Sequence, residues 1–308
     1  MSALAYGRAP VASGMASTSA QTISTSARQR GLALGLLGVV AFSVTLPATR
    51  VAVASLDPVF VGLGRAIVAA LLAAVVLAVT RAAWPPKALW PRLAIVAAGV
   101  IVGFPLLTAW AMQHVPASHG AVVIGLLPLA TAAAGAWFAH ERPSTRFWTF
   151  AIAGSVIVVG FAAWKGGGTL HVADLLLLGA VASAAIGYAE GARLTRIIGG
   201  WQVISWALLL AAPVVAVPVW LASGELGGVA WQAWAGFAYV SIVSMYVGFF
   251  AWYKGLALGG IAAVGQVQLL QPFMTIGFSA LLLGETLDPS TLVAAALVIA
   301  SIALGRRT

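Results

Sequence analysis

The chain has 308 residues, 62% of them hydrophobic and only 7% charged, with a formal net charge of +9 and no cysteine. A water-soluble domain carries about 25% charged residues, so this composition cannot cover a water-facing surface, and disulfide or thiolate chemistry is excluded. Apolar runs recur near the ~20 residues that a spanning helix needs and do not alternate as barrel strands would, so the fold class expected is all-α and integral to the membrane.

Residues 1–30 are rich in Ser, Ala and Thr and carry Arg8, Arg28 and Arg30 without an acid. No apolar run follows the start as a secretory signal would require, so a disordered cytoplasmic tail is expected, with an organellar transit peptide as the alternative. Ten transmembrane helices follow, at roughly 31–49, 58–79, 91–112, 117–139, 146–164, 174–195, 201–221, 229–252, 257–283 and 288–305. With the N-terminus inside, 13 of the 16 Lys and Arg fall on inner segments; Arg50 and Lys165 lie outside and Arg65 within a span. Asp57, Asp174, Glu225, Glu285 and Asp288 fall outside. That asymmetry predicts both termini in the cytoplasm. It also explains the positive charge without nucleic acid, which is not expected as a partner.

The chain repeats. Pro128 precedes Glu141 by 13 residues, and Pro272 precedes Glu285 by 13. Upstream, VGFP at 102–105 echoes VGFF at 247–250. Two five-helix halves, 31–165 and 174–305, follow from this. Five is odd, so the halves must be inverted in the membrane. Inverted repeats mark transporters whose solute site lies near the midplane.

The segments ASHGAVVIGLLPLATAAAGAWFAHERPS (117–144) and IAAVGQVQLLQPFMTIGFSALLLGETLDPS (261–290) carry a mid-span proline, about a dozen small or apolar residues and a closing Glu. They resemble the two EamA repeats of the drug/metabolite transporter superfamily. DPVFVGLGRAIVAA (57–70) resembles that family's second span, with Arg65 as its usual arginine. The first repeat departs from the pattern at His140, where Gly is usual. Within the superfamily the chain is most similar to YddG-type amino-acid exporters. The resemblance implies secondary transport of a small organic solute by alternating access, with spans 1, 3, 4, 6, 8 and 9 around a central cavity. It implies export of amino acids, aromatic or otherwise neutral, across the inner membrane. The alternative is export of an apolar or cationic drug-like compound or another small metabolite. No cofactor and no metal are expected, and the partners are the solute and the bilayer, with the protein a monomer or weak dimer. No Walker, HExxH or GxSxG pattern occurs, so an enzyme is not expected.

The site candidates follow from polarity inside spans. Pro272 removes the helix partner of the Gln268 carbonyl, and Pro128, Pro105 and Pro47 do the same to Ile124, Ile101 and Ser43. Pro128 and Pro272 occupy matching places in the halves and are read as gating kinks; static packing kinks are the plainer alternative. Gln268 and Gln271 share a helix face and are candidates to line the cavity, whereas Gln266 points elsewhere. Hydrogen bonding between helices would also account for all three. Tyr239, Tyr246 and Tyr253 are spaced by seven, which places them on one face of span 8. Tyr246 lies deeper than Tyr253 and is the better site candidate, and Tyr253 beside Lys254 suits the interfacial aromatic belt. Ser43, Pro47, Phe104, Thr108, Trp110 and Tyr188 complete the solute-contact candidates, with ordinary packing as the alternative for the aromatics. Of the ionisable groups in or near spans, Glu190 lies three residues before Arg193 and fits either a local ion pair or a role toward a proton or amine. Arg65 fits a structural or an anion-attracting role. His119, near an outer end, fits a wet interface better than a proton relay.

Overall fold

The computed structural model describes residues 25–139, 145–165, 171–224, 226–259 and 264–305, and every regular element among them is helical. The first span is α1 (Thr25–Ser43) and α2 (Thr45–Val53); the second is α3 (Pro58–Val79). A 3₁₀ turn (Lys87–Leu89), α4 (Trp90–Val96), a π-helical segment (Ala97–Gly103) and α5 (Phe104–Ala111) form the third. Next come α6 (Ala117–Ile124), α7 (Leu127–Ala139) and α8 (Thr145–Lys165). The second half has α9 (Val172–Ile198), α10 (Gly200–Leu221) and α11 (Trp231–Ala238), then a second π-helical segment (Tyr239–Val247) and α12 (Gly248–Gly259). A 3₁₀ segment (Gln266–Leu270), α13 (Gln271–Leu283) and α14 (Pro289–Gly305) close it.

Among the described residues, seven helices are long and apolar enough to cross a membrane: Ser26–Val53, Pro58–Val79, Lys87–Ala111, Ala117–Phe138, Val172–Ile198, Gly200–Leu221 and Trp231–Gly259. Three shorter apolar helices, Trp148–Val158, Val267–Leu283 and Pro289–Ser301, stand at the remaining expected spans. The chain is thus a multi-pass helical membrane protein. Several boundaries differ from expectation: the first span runs on to Val53, the third starts at Lys87, and 257–259, expected in the ninth span, belong to α12. Thr25 to Arg30, expected in the tail, already belong to α1, and the eighth span runs on to Gly259 rather than ending near 252. The rest of the expected tail, His140 and Glu141 lie outside the described residues.

Local chemistry sets the helix ends. Asp57 caps α3 by accepting hydrogen bonds from the Val59 and Phe60 amides at 2.7 and 3.2 Å, with Pro58 in the first turn. Gly284 ends α13 at φ +65°, a left-handed conformation that suits glycine. Four interior breaks carry a proline: Pro47, Pro105, Pro128 and Pro272 each stand within the first three residues of α2, α5, α7 and α13. There the missing N–H costs least. Pro213 and Pro218, by contrast, lie inside the unbroken α10. The expected free carbonyl at Gln268 is not found, because the 3₁₀ geometry lets the Gln271 amide donate to it. The chain tightens its winding before this proline rather than leaving an open acceptor.

The principal helix contacts pair one half with the other. α1 lies along α12, α3 along α10, α8 along α14, α6 against α13, and the π-helical Ala97–Gly103 segment with α4 and α5 against α9. Two of these seams are backbone-close at glycine. The pentapeptide GLALG occurs at 31–35 and again at 255–259, and the two copies face each other. A Cβ added at Gly255 would stand 2.8 Å from the Gly35 nitrogen and 2.9 Å from the Gly31 oxygen. GVIVG at 99–103 does the equivalent against α9: a Cβ at Gly99 would be 2.5 Å from the Ser183 carbonyl. Small residues at such crossings are how helices associate where lipid removes the hydrophobic driving force.

Candidate functional site

The described ion pairs gather toward the two ends of the bundle. At one end, Glu190 of α9 is held by Arg193 at 2.9 Å and by Arg92 of α4. The local pair read from the sequence is therefore half of a clamp that also ties the third span to the sixth. At the other end, Glu285 accepts hydrogen bonds from the Ala117 and Ser118 amides at 2.9 and 3.0 Å, capping α6 from the far half of the chain. Beside it, His119 Nε2 lies 2.7 Å from Asp174 Oδ1, and Asp174 also accepts from the His171 amide at 3.0 Å. His119 is thus a half-buried partner in a cross-half contact that also lines the open cleft at this end. Arg50 donates to the Val115 carbonyl at 2.7 Å, neutralising the C-terminal end of the third span. A cleft of about 900 Å³ opens at this acidic end between His114, His171, Glu285 and Asp288.

Between these ends lies a small polar centre. α3 presents Arg65 to a cavity of about 20 Å³, room for roughly one water. Thr45 and Phe42 come from the first span, Phe104 from the third, Tyr188 from α9, Ser244 and Phe249 from the eighth, and Gln271 from α13. Arg65 is 2% exposed. Its Nη2 donates to Ser244 Oγ at 3.3 Å, and that oxygen pairs with Thr45 Oγ1 at 2.8 Å. Its Nε and Nη1 have no partner. A guanidinium offers five N–H donors and no acceptor, so most of this one's capacity is idle. Asp57, Asp174, Glu190 and Glu285 are each bonded elsewhere, so none of them balances the charge. One wall is aromatic: Phe42 stacks on Tyr188 with centroids 6.4 Å apart, and Phe249 packs on Phe42 at 5.1 Å.

The other sequence candidates lie around this centre. Phe104, Tyr188 and Gln271 line the cavity with Arg65. Ser43 is buried next to the lining residue Phe42, its hydroxyl donating to the Val39 carbonyl at 2.7 Å, and Pro47 is buried in the first turns of α2. Thr108 is likewise turned onto its own helix, donating to the Phe104 carbonyl at 2.8 Å. Trp110 is half-buried and does not line the cavity. Pro128 and Pro272 are both buried where α6–α7 meets α13; a Cβ at Gly125 would lie 3.3 Å from Pro272 Cγ. Gln268 is buried one turn away from the cavity, and neither its Oε1 nor its Nε2 has a partner. A hydrogen-bonded helix clamp at Gln268 is therefore not what this conformation contains.

The tyrosine stripe is corrected. Tyr239 donates to the Ala41 carbonyl at 2.9 Å, Tyr246 bonds Ser205 Oγ at 3.0 Å, and Tyr253 donates to the Gly187 carbonyl at 3.4 Å. These partners lie on three different helices. The π-helical Tyr239–Val247 segment takes more residues per turn than an α-helix, so a spacing of seven does not keep one face there. Tyr253 is fully buried, which overturns its assignment to the interfacial belt. Thr45, Ser244 and the two π-helical segments went unread. Scattered hydroxyls carry no periodic signal, and a π-turn has none in a uniformly apolar run.

A family model described as "EamA-like transporter family" matches residues 29–163 and again 171–305. The chain belongs to the EamA-like transporter family. A Bacillus subtilis (strain 168) member named "Uncharacterized transporter YdeK" is 45% identical over 274 residues, covering 89% of this chain and 96% of that one. A solved structure titled "Crystal structure of protein" has the same fold, with a TM-score of 0.66 at 17% identity, covering 91% of this chain and 97% of its own. As an EamA protein, this chain is a membrane transporter, and Arg65 and its cavity lie at the meeting point of its two family-matched segments.

Proposed function

We propose that this transporter carries a small organic solute bearing a carboxylate, with neutral and aromatic amino acids as the substrate class, and that it exports them by alternating access. The observation that carries the reading is Arg65: buried in the middle of the bundle, largely without hydrogen-bond partners, and beside an aromatic wall. Leaving a charge so placed is costly. A solute carboxylate would complete it in bidentate fashion, with Phe42, Tyr188, Phe104 and Phe249 receiving an apolar side chain. Cationic drug-like compounds fit poorly beside an uncompensated guanidinium.

The closed 20 Å³ cavity cannot hold such a solute, so loading needs helices to part. The breaks at Pro128 and Pro272 are the proposed hinges, and the pairing of α1 with α12 and of the third span with α9 supports two inverted halves that rock. Ten spans, with the Glu190 clamp and both termini on the cytoplasmic side of the inner membrane, complete the reading. Glu190, held by two arginines, supports a carrier without strong proton coupling. The test is counterflow of labelled phenylalanine and leucine in proteoliposomes. Saturable exchange that Arg65→Gln abolishes is expected; no saturable flux of any amino acid would overturn the substrate class.

A further inference from the structure

Gln268 has the whole of its polar head idle while being 1% exposed. An amide left so in an apolar interior is destabilising, and this one does no structural work as it stands. It lies on the 3₁₀ segment Gln266–Leu270, which packs against α7. On α7, Thr131 is buried with its hydroxyl oxygen also unpartnered. The two residues lie at similar depth. Gly125 faces Pro272 where the broken helices cross. Thr131 is six residues beyond Gly125 and Gln268 four before Pro272, or about 9 Å and 6–8 Å toward the basic end at helical rises of ~1.5–2.0 Å.

We infer that Gln268 and Thr131 form a second solute contact, between Arg65 and the basic end, which accepts hydrogen bonds from the solute's ammonium group when that half of the pathway opens. The inference rests on the carboxylate reading of Arg65. The described carboxylates Asp57, Asp174, Glu190, Glu285 and Asp288 are each bonded elsewhere, so among the described residues neutral acceptors are what the cationic end of a zwitterion can meet. The Gln268 Oε1 and Thr131 Oγ1 atoms are the buried acceptors held in reserve there. The 3₁₀ winding gives the segment a second, α-helical geometry to relax into, which would swing the amide as the helix moves.

The test compares labelled phenylalanine with 3-phenylpropionate, the same solute without its amine, in proteoliposomes of the full chain. Gln268→Leu is expected to raise the phenylalanine KM about tenfold, the size of one lost hydrogen bond to a charged group. It should leave 3-phenylpropionate entry unchanged and raise the thermal unfolding midpoint. Thr131→Val, a near-isosteric change, should repeat the pattern at smaller amplitude. Equal effects on both solutes, no effect on either, or a lowered unfolding midpoint for Gln268→Leu would each overturn the inference while leaving Arg65's role standing. If neither solute enters through the wild type, the Arg65 reading fails and this one with it.

Discussion

Replacing Arg65 by methionine separates a structural arginine from one reserved for solute. Methionine keeps an unbranched apolar stem but ends short of the guanidinium, which it removes. In the resting structure that head is held by one hydrogen bond, the 3.3 Å contact to Ser244, while Nε and Nη1 are unbonded. The loss on mutation is therefore one long bond, about 0.5–1.5 kcal/mol. The gain is relief from an uncompensated buried charge, several kcal/mol by general estimates. The net expectation is stabilisation of about 1–3 kcal/mol. Solute binding should move the other way: losing a buried carboxylate–guanidinium pair costs about 2–5 kcal/mol, a fall of thirtyfold or more in apparent affinity. Thermal unfolding of the purified protein in detergent, measured beside phenylalanine counterflow, reads both. A lower unfolding midpoint, with transport reduced only in proportion to folded protein, would refute the reasoning and make Arg65 a structural residue.

Gly99→Ala and Gly255→Ala should each destabilise by about 1–3 kcal/mol, since the new Cβ would meet backbone at 2.5 and 2.8 Å; Gly277→Ala, with nothing within 4 Å, should be neutral or stabilising by about 0.5–1 kcal/mol. Unfolding in mixed micelles ranks the three. Glu285→Ala should cost about 1–2 kcal/mol by uncapping α6 and should speed hydrogen exchange at the Ala117 and Ser118 amides. Tyr246→Phe removes the 3.0 Å bond to Ser205 and should cost about 0.5–1.5 kcal/mol, while Tyr253→Phe, whose bond is 3.4 Å, should cost less; thermal midpoints decide the order.

Composition and periodic hydrophobicity determined the membrane location, the helical class and the places where helices lie, because a bilayer admits few alternatives for an apolar chain. The proline pair and the shared repeat pattern made the family and the breaks at Pro128 and Pro272 legible, since a proline removes a backbone donor from its own helix, although Pro213 and Pro218 leave α10 unbroken. Arg65, Glu190 and the glutamines were visible as polar residues in apolar runs. Their partners were not. Whether Glu190 is an ion pair or a clamp depends on Arg92, 98 residues away, and whether Arg65 is compensated depends on what the other spans lining its cavity bring to it. The tyrosine stripe failed because local winding in the π-helical segment answers to packing against other helices rather than to residue type. Tertiary structure alone decided which polar groups are satisfied and which wait, because hydrogen-bond satisfaction belongs to the assembled bundle and to no single stretch of chain.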